Sequence, residues 1–236
     1  MWKTTIPKTI NNTDNNKKKS LKIKQYCGAN MSLIKIVTGY IGLGALLLSA
    51  SSAFAAPIPP SATVCTSCHM PTGMGLPNMA PMIAGKNAEY LTRQIDLFIA
   101  GERSDPLMTP MAGLISDPKK KAEAINYFAS LSAPEIKNPE HRGDHAIIED
   151  PARKLVYQGD WNRNIPACST CHGASGIGVQ DFPRLANQHP DYLEEQLKAW
   201  KNKTRSGDHN DVMGSIARQL TDTEITQLSH YFATVK

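Results

Sequence analysis

Five residues, Cys65-Thr66-Ser67-Cys68-His69, recur as Cys168-Ser169-Thr170-Cys171-His172. C-x-x-C-H is the attachment signature of c-type haem. Its two cysteines are spaced to reach the two vinyl groups on one edge of the macrocycle, and the following histidine is held beneath the iron. Two copies imply two haem c groups and, with them, electron transfer. Zinc ribbons also use C-x-x-C pairs, but their pairs lie about 15–20 residues apart, far closer than Cys68 and Cys168. Thioredoxin-type dithiol chemistry sits in a βαβ pattern, and no alternation of strand and helix is legible here.

His69 and His172 each fill one axial position, so the residue on the opposite face decides between a closed electron carrier and an open site. Methionine is the usual partner in cytochromes c and raises the potential. The second half holds one methionine, Met213, within a polar, Gly/Asp-rich loop, SGDHNDVMGS; His209 is the nearest substitute. The first half offers Met108 and Met111. Counted from the upstream helix, Tyr90 to Met111 is 21 residues, as is Tyr192 to Met213. Counted back from the next helix, Met108 to Ser116 is eight, as is Met213 to Thr221. The upstream count crosses a loop, where insertions concentrate, so Met108 is preferred and Met111 is the alternative. His141 or His145 would serve if neither methionine binds. Met70, Met74, Met79 and Met82 lie near the proximal loop and read as packing around the haem.

The elements that must position these groups are themselves duplicated. Gly73 and Gly75 follow His69 at offsets of four and six, as Gly176 and Gly178 follow His172. Pro81 answers Pro183, Tyr90-Leu91 answers Tyr192-Leu193, and Tyr-Phe-Ala recurs at 127–129 and 231–233. Helical spacing of apolar residues predicts helices from Asn87 to about Ala100, over Asp191 to Lys201, from about Lys119 to Leu131, and from Asp222 to Val235. Gly101 is a stop signal, and Ser116-Asp117-Pro118 and Thr221-Asp222 lie where N-caps belong. The fold class is therefore all-α. Residues 132–150 are polar, with two prolines, and read as a linker between a first domain, 56–131, and a second, 151–236. Ala152 to Gln158 forms a lead-in helix. The first domain has no counterpart, because Pro57, Pro59 and Pro60 oppose a regular helix before Cys65, and its haem is expected to be the more exposed.

The segment from Met31 has a short basic start, an apolar run from about Ile36 to Leu48, and Ala53-Phe54-Ala55, an A-x-A cleavage site. This describes a secretory signal peptide over 31–55; the run is short for a spanning helix of about 20 residues, although retention as an anchor is the competing reading. Residues 1–30 are polar, Asn/Lys-rich and read as an over-extended start. The chain is formally +5, yet from Ala56 onward 18 Lys+Arg face 20 Asp+Glu, a balance of −2. No clustered basic face survives processing, which argues against nucleic-acid binding. All four cysteines after the leader belong to the two motifs, leaving none for a disulfide, a thiolate ligand or a nucleophile. Export fits as well, because c-type haem is attached outside the bacterial cytoplasm.

On these motifs, on P-x-x-A-G/N-x-x-x-x-Y-L-x-x-Q in both halves, and on a methionine about seven residues before a helix-capping L/I-[ST]-D, the chain resembles the dihaem class I cytochromes c of the cytochrome c4 family. The resemblance covers nearly all of 62–235. It implies two tandem class I cytochrome c domains, each wrapped around one covalently bound haem, packed about a pseudo-two-fold axis with the propionates near the interface. It implies Met108, the first of a Met-x-x-Met pair, as a ligand, and the carbonyls of Pro81 and Pro183 as partners of the proximal histidines. It further implies a non-enzymatic periplasmic carrier of a Gram-negative bacterium, peripheral to the inner membrane at most. Such a carrier runs from a quinol-oxidising complex towards a terminal oxidase. The alternatives are a cytochrome subunit of a flavoprotein or other dehydrogenase oxidising sulfide or an alcohol, or a haem enzyme such as a thiosulfate dehydrogenase or a dihaem peroxidase.

Overall fold

The computed structural model describes residues 57–141 and 147–236. The expected signal peptide, the segment before it and His145 lie outside the described residues. Among these residues the structure is helical, with three isolated β-bridges and no strand. The first half carries α1 (Pro60–Thr63), α2 (Thr66–His69), α3 (Ala88–Ala100), α4 (Met108–Gly113) and α5 (Pro118–Ser130). The second carries α6 (Pro151–Tyr157), α7 (Cys168–His172), α8 (Pro190–Lys201), α9 (Val212–Ala217) and α10 (Asp222–Thr234).

Local chemistry sets the helix ends. The Asn87 side chain accepts from Glu89 N–H at the start of α3, and Gly101 ends it in the left-handed region at φ 74°, a conformation that glycine adopts without a Cβ penalty. Asp117 accepts from the N–H groups of Lys119 and Lys120, with Pro118 in the first turn of α5. Thr221 and Glu224 cap α10 reciprocally, each side chain satisfying a backbone N–H of the other.

Two expectations are corrected. Pro60 does not prevent a helix before Cys65; it begins one. At the first helical position its missing N–H has no partner to lose and its fixed φ suits the turn. The single turn of α1 seats Ala62, which is fully buried, against α5, as α6 lies against α10. The first half therefore has a short counterpart of the lead-in helix, and its proximal histidine is as enclosed as the second: His69 is 5% exposed and His172 6%. Met213, expected in a loop, stands in the first turn of α9; the loop proper ends just before it, where Asn210 and Asp211 adopt left-handed conformations.

Each half has its own apolar cluster. Ala62, Tyr90, Leu91, Ile115, Ala124, Ile125 and Phe128 form the first. The second gathers Leu155, Val156, Tyr157, Ile165 and Leu193 beneath Ile225, Leu228 and Phe232 of α10. Full burial of such a side chain is worth about 1.5–3 kcal/mol, so α5 and α10 are the principal clasps. The 132–150 segment is tied to the second half: Glu140 and Ser175 exchange hydrogen bonds of 2.7 and 2.8 Å, and Arg184 Nη2 donates to Pro134 O at 2.6 Å.

Candidate haem sites and the junction between them

Each C-x-x-C-H motif folds as a short helix, α2 or α7, that turns its histidine inward. His69 Nδ1 donates to Pro81 O at 2.9 Å and His172 Nδ1 to Pro183 O at 2.8 Å. A carbonyl only accepts, so the proton is on Nδ1 and Nε2 keeps its lone pair. Burial, opposed in part by these hydrogen bonds, holds both imidazoles below their ordinary pKa, with the Lys86 charge adding to the effect at His172. Neutral rings with a fixed tautomer are what a metal requires. The glycine six residues on closes the loop: at φ +71°, Gly75 lies where a Cβ would come 2.5 Å from Pro81 O. A side chain there would displace the carbonyl that aims the ring.

The opposite wall of each cavity comes from a later helix. Cys65, Cys68, His69, Met108 and Met111 line the first cavity; Cys168, Cys171, His172, His209 and Met213 line the second. Both first-half methionines thus reach the cavity. Backbone capping distinguishes them: Asp105 Oδ1 accepts from Met108 N–H at 2.7 Å, and Asp208 Oδ2 accepts from Met213 N–H at 2.6 Å. By that measure Met108 is the counterpart of Met213. Of the four methionines expected to pack around the haem, Met79 alone lines the first cavity. Met82 is fully buried at the contact with the second half, because its backbone pairs there with Gln188. His141 lines neither cavity.

The sequence reading missed the polar junction between the two cavities. Helices α3 and α8 face each other there with equivalent residues 102 apart: Gln94 and Gln196, Phe98 and Trp200, followed by Arg103 and Arg205. Arg103 donates to Gln94 Oε1 at 2.8 Å, Gln196 Oε1 at 2.9 Å and the Tyr192 hydroxyl at 3.0 Å. Arg205 donates to the same two glutamines at 3.1 and 2.7 Å, and the guanidinium groups stack on Phe98 and Trp200. All of these acceptors are neutral, and Arg205 Nε is buried without a partner among the described residues. A buried cation without an anion is costly. The propionates of a haem would supply the missing charge, so this polar end fits the group as the thiols and imidazole fit the other. Extending the repeat alignment a few residues beyond Gln94 and Gln196 would have exposed the arginine pair.

Comparison with known proteins accords with this geometry. The family described as Cytochrome c matches residues 154–236. A thiosulfate dehydrogenase electron acceptor of Stutzerimonas stutzeri (strain A1501) is 40% identical over 75% of this chain and 81% of its own. Cytochrome c4 of Thiocapsa roseopersicina is 33% identical over 71% and 85%. Among solved structures, a thiosulfate dehydrogenase of Marichromatium purpuratum superposes with a TM-score of 0.64 at 37% identity, over 73% of this chain. This chain spans only 36% of that one. Acidithiobacillus ferrooxidans cytochrome c4 gives 0.61 at 30% identity, over 72% of this chain and 98% of its own. A duplicated C-x-x-C-H helix, two cavities in tandem and relatives that extend through both halves lead to one conclusion: the chain belongs to the cytochrome c4 family of dihaem c-type cytochromes.

Proposed function

We propose that the chain is an exported, periplasmic electron carrier that receives electrons from a dehydrogenase, thiosulfate dehydrogenase first among the candidates, and passes them towards a terminal oxidase. Each haem, when bound, supplies one-electron exchange between Fe(III) and Fe(II). The protein's own groups do the rest. Cys65, Cys68, Cys168 and Cys171 tether the two macrocycles; His69 and His172 present Nε2, oriented by Pro81 and Pro183; Met108 and Met213 close the other faces. With those ligands the coordination sphere would be closed, leaving no position for a substrate and keeping the same ligands in both oxidation states. Substrate oxidation then falls to the partner.

The observation that carries the dehydrogenase assignment is the 40% identity, through both halves, to a thiosulfate dehydrogenase electron acceptor. Likeness to cytochromes c4 supports a second reading, a shuttle from a quinol-oxidising complex. Reduction kinetics separate the two. Mixed with catalytic amounts of thiosulfate dehydrogenase and excess thiosulfate, the oxidised dihaem protein should develop its reduced α-band within the enzyme's turnover time. Reduction by a quinol-oxidising complex alone would favour the shuttle instead.

A further inference from the structure

At the junction the two halves match in contact but not in charge. Gln188 Nε2 donates across it to Met82 O at 2.9 Å, and its Oε1 accepts from Met82 N–H at 2.8 Å. The equivalent residue 102 positions earlier is Lys86, and Arg184 is the equivalent of Met82. Lys86 Nζ makes the mirror-image contact, donating to Arg184 O at 2.6 Å. A neutral amide thus faces the first half where an ammonium faces the second. Lys86 is only 6% exposed and, among the described residues, has no carboxylate in hydrogen-bonding contact. Its acceptor belongs to the residue after Pro183, whose carbonyl holds the His172 ring.

The surrounding charge points the same way. The charged residues lining the first cavity are Lys86, Arg103, Asp105 and Glu195, which balance. Those lining the second include Lys86, Arg184 and Arg205, with Arg93 beside Asp181 and with Asp208, leaving an excess of two positive charges. A cation fixed in a region of low dielectric acts strongly on nearby charge. It favours the redox state of lower positive charge, Fe(II).

We propose that Lys86 of the first half is a positioning charge for the second haem, raising that haem's reduction potential across the junction and so biasing the distribution of electrons within the molecule. The inference rests on a haem in each cavity and on no particular partner, so it can fail without the proposed function failing, and the reverse. Although burial pushes the Lys86 pKa down to about 8, the ammonium remains charged at neutral pH.

Spectroelectrochemical titration of the isolated dihaem protein tests the proposal, with each wave assigned through its haem-methyl NMR shifts and haem content fixed by intact mass. Lys86→Gln keeps a donor for Arg184 O and restores the symmetry seen at Gln188. It should shift the internal electron equilibrium about tenfold away from the second haem, which is 59 mV for a one-electron couple, while the first potential moves far less. Lys86→Arg should retain the original separation. If Gln at this position prevents haem loading, Lys86→Met removes the charge at similar volume and should give the same shift. An unchanged second potential would overturn the proposal. So would an equal fall at both haems, or a fall in Lys86→Arg as large as in Lys86→Gln.

Discussion

At the scale of single residues, the methionines are where sequence and fold divide the work. The cysteines and proximal histidines are legible in five consecutive letters, because the chemistry demands a fixed local spacing. The proposed distal sulfur has to return from a separate helix through a loop of adjustable length, so two counts along the chain give two answers. The structure adds a discriminating detail, the carboxylate of Asp105 or Asp208 on the N–H of Met108 or Met213. We expect Met213→Ala to open the second haem alone, removing about half of the far-red charge-transfer band of thioether-ligated ferric haem and lowering that haem's potential. Met108→Ala should remove the other half of the band. Met111→Ala should keep it, at a packing cost of about 2–5 kcal/mol if the site cannot collapse. If Met111→Ala abolishes the band and Met108→Ala does not, the assignment in the first half is reversed.

At the scale of elements, α10 shows how a helix that positions nothing directly still governs a site. It covers the second cavity with Leu228 and Phe232, and its N-terminus is anchored to the turn before α7. Arg163 forks onto both oxygens of Glu224 at 3.0 and 2.7 Å and also pairs with Asp160 at 2.8 Å. The Arg163 guanidinium holds the Glu224 carboxyl down at about 2, against an ordinary value of 4.5. A depressed carboxylate stabilises the fold fully above 4.5, and that contribution is lost as pH falls towards 2. Glu224→Gln preserves the reciprocal cap but removes the charge. It should cost about 1 kcal/mol or less at pH 7 and flatten this part of the acid dependence of stability, followed by circular dichroism. An acid profile indistinguishable from that of the parent protein would refute the role. The cap itself was legible, since Thr221-Asp222 stands where the N-cap of the last helix belongs. The Arg163 clamp was not, because it joins residues 61 positions apart through a turn that carries no periodic signal. The same holds for α1, where a proline read as a barrier proved to be a start; the residue type was clear but its position in the turn was not.

At the scale of the whole molecule, duplication was plain in the sequence, but the way the copies meet was not. Apolar periodicity reports which face of a helix is buried, not whether a glutamine on that face looks across at its own repeat. Several polar groups of the junction take partners from the opposite half. Gln188 is 1% exposed and satisfies both the N–H and the carbonyl of the fully buried Met82. His189 Nε2 adds a contact to Met74 O at 3.0 Å, and Arg93 pairs with Asp181 across the same junction at 3.5 Å. Truncation of Gln188 leaves both backbone groups of Met82 buried without partners, each costing about 1–3 kcal/mol, and also removes the acceptor of His189 N–H at 3.0 Å within the second half. Because those groups sit between the halves rather than within either core, the loss should fall on their coupling. We therefore expect the parent dihaem protein to unfold in one calorimetric transition, in keeping with the single compact unit to which the described residues belong. Gln188→Ala should lower the midpoint and split the transition in two, with the haem spectra of the folded protein unchanged. A lower midpoint with the transition still single would mean that the residue stabilises the second half alone. In that case the coupling would reside in the junction contacts that the Ala variant leaves in place, the Arg103–Gln94–Gln196–Arg205 array among them.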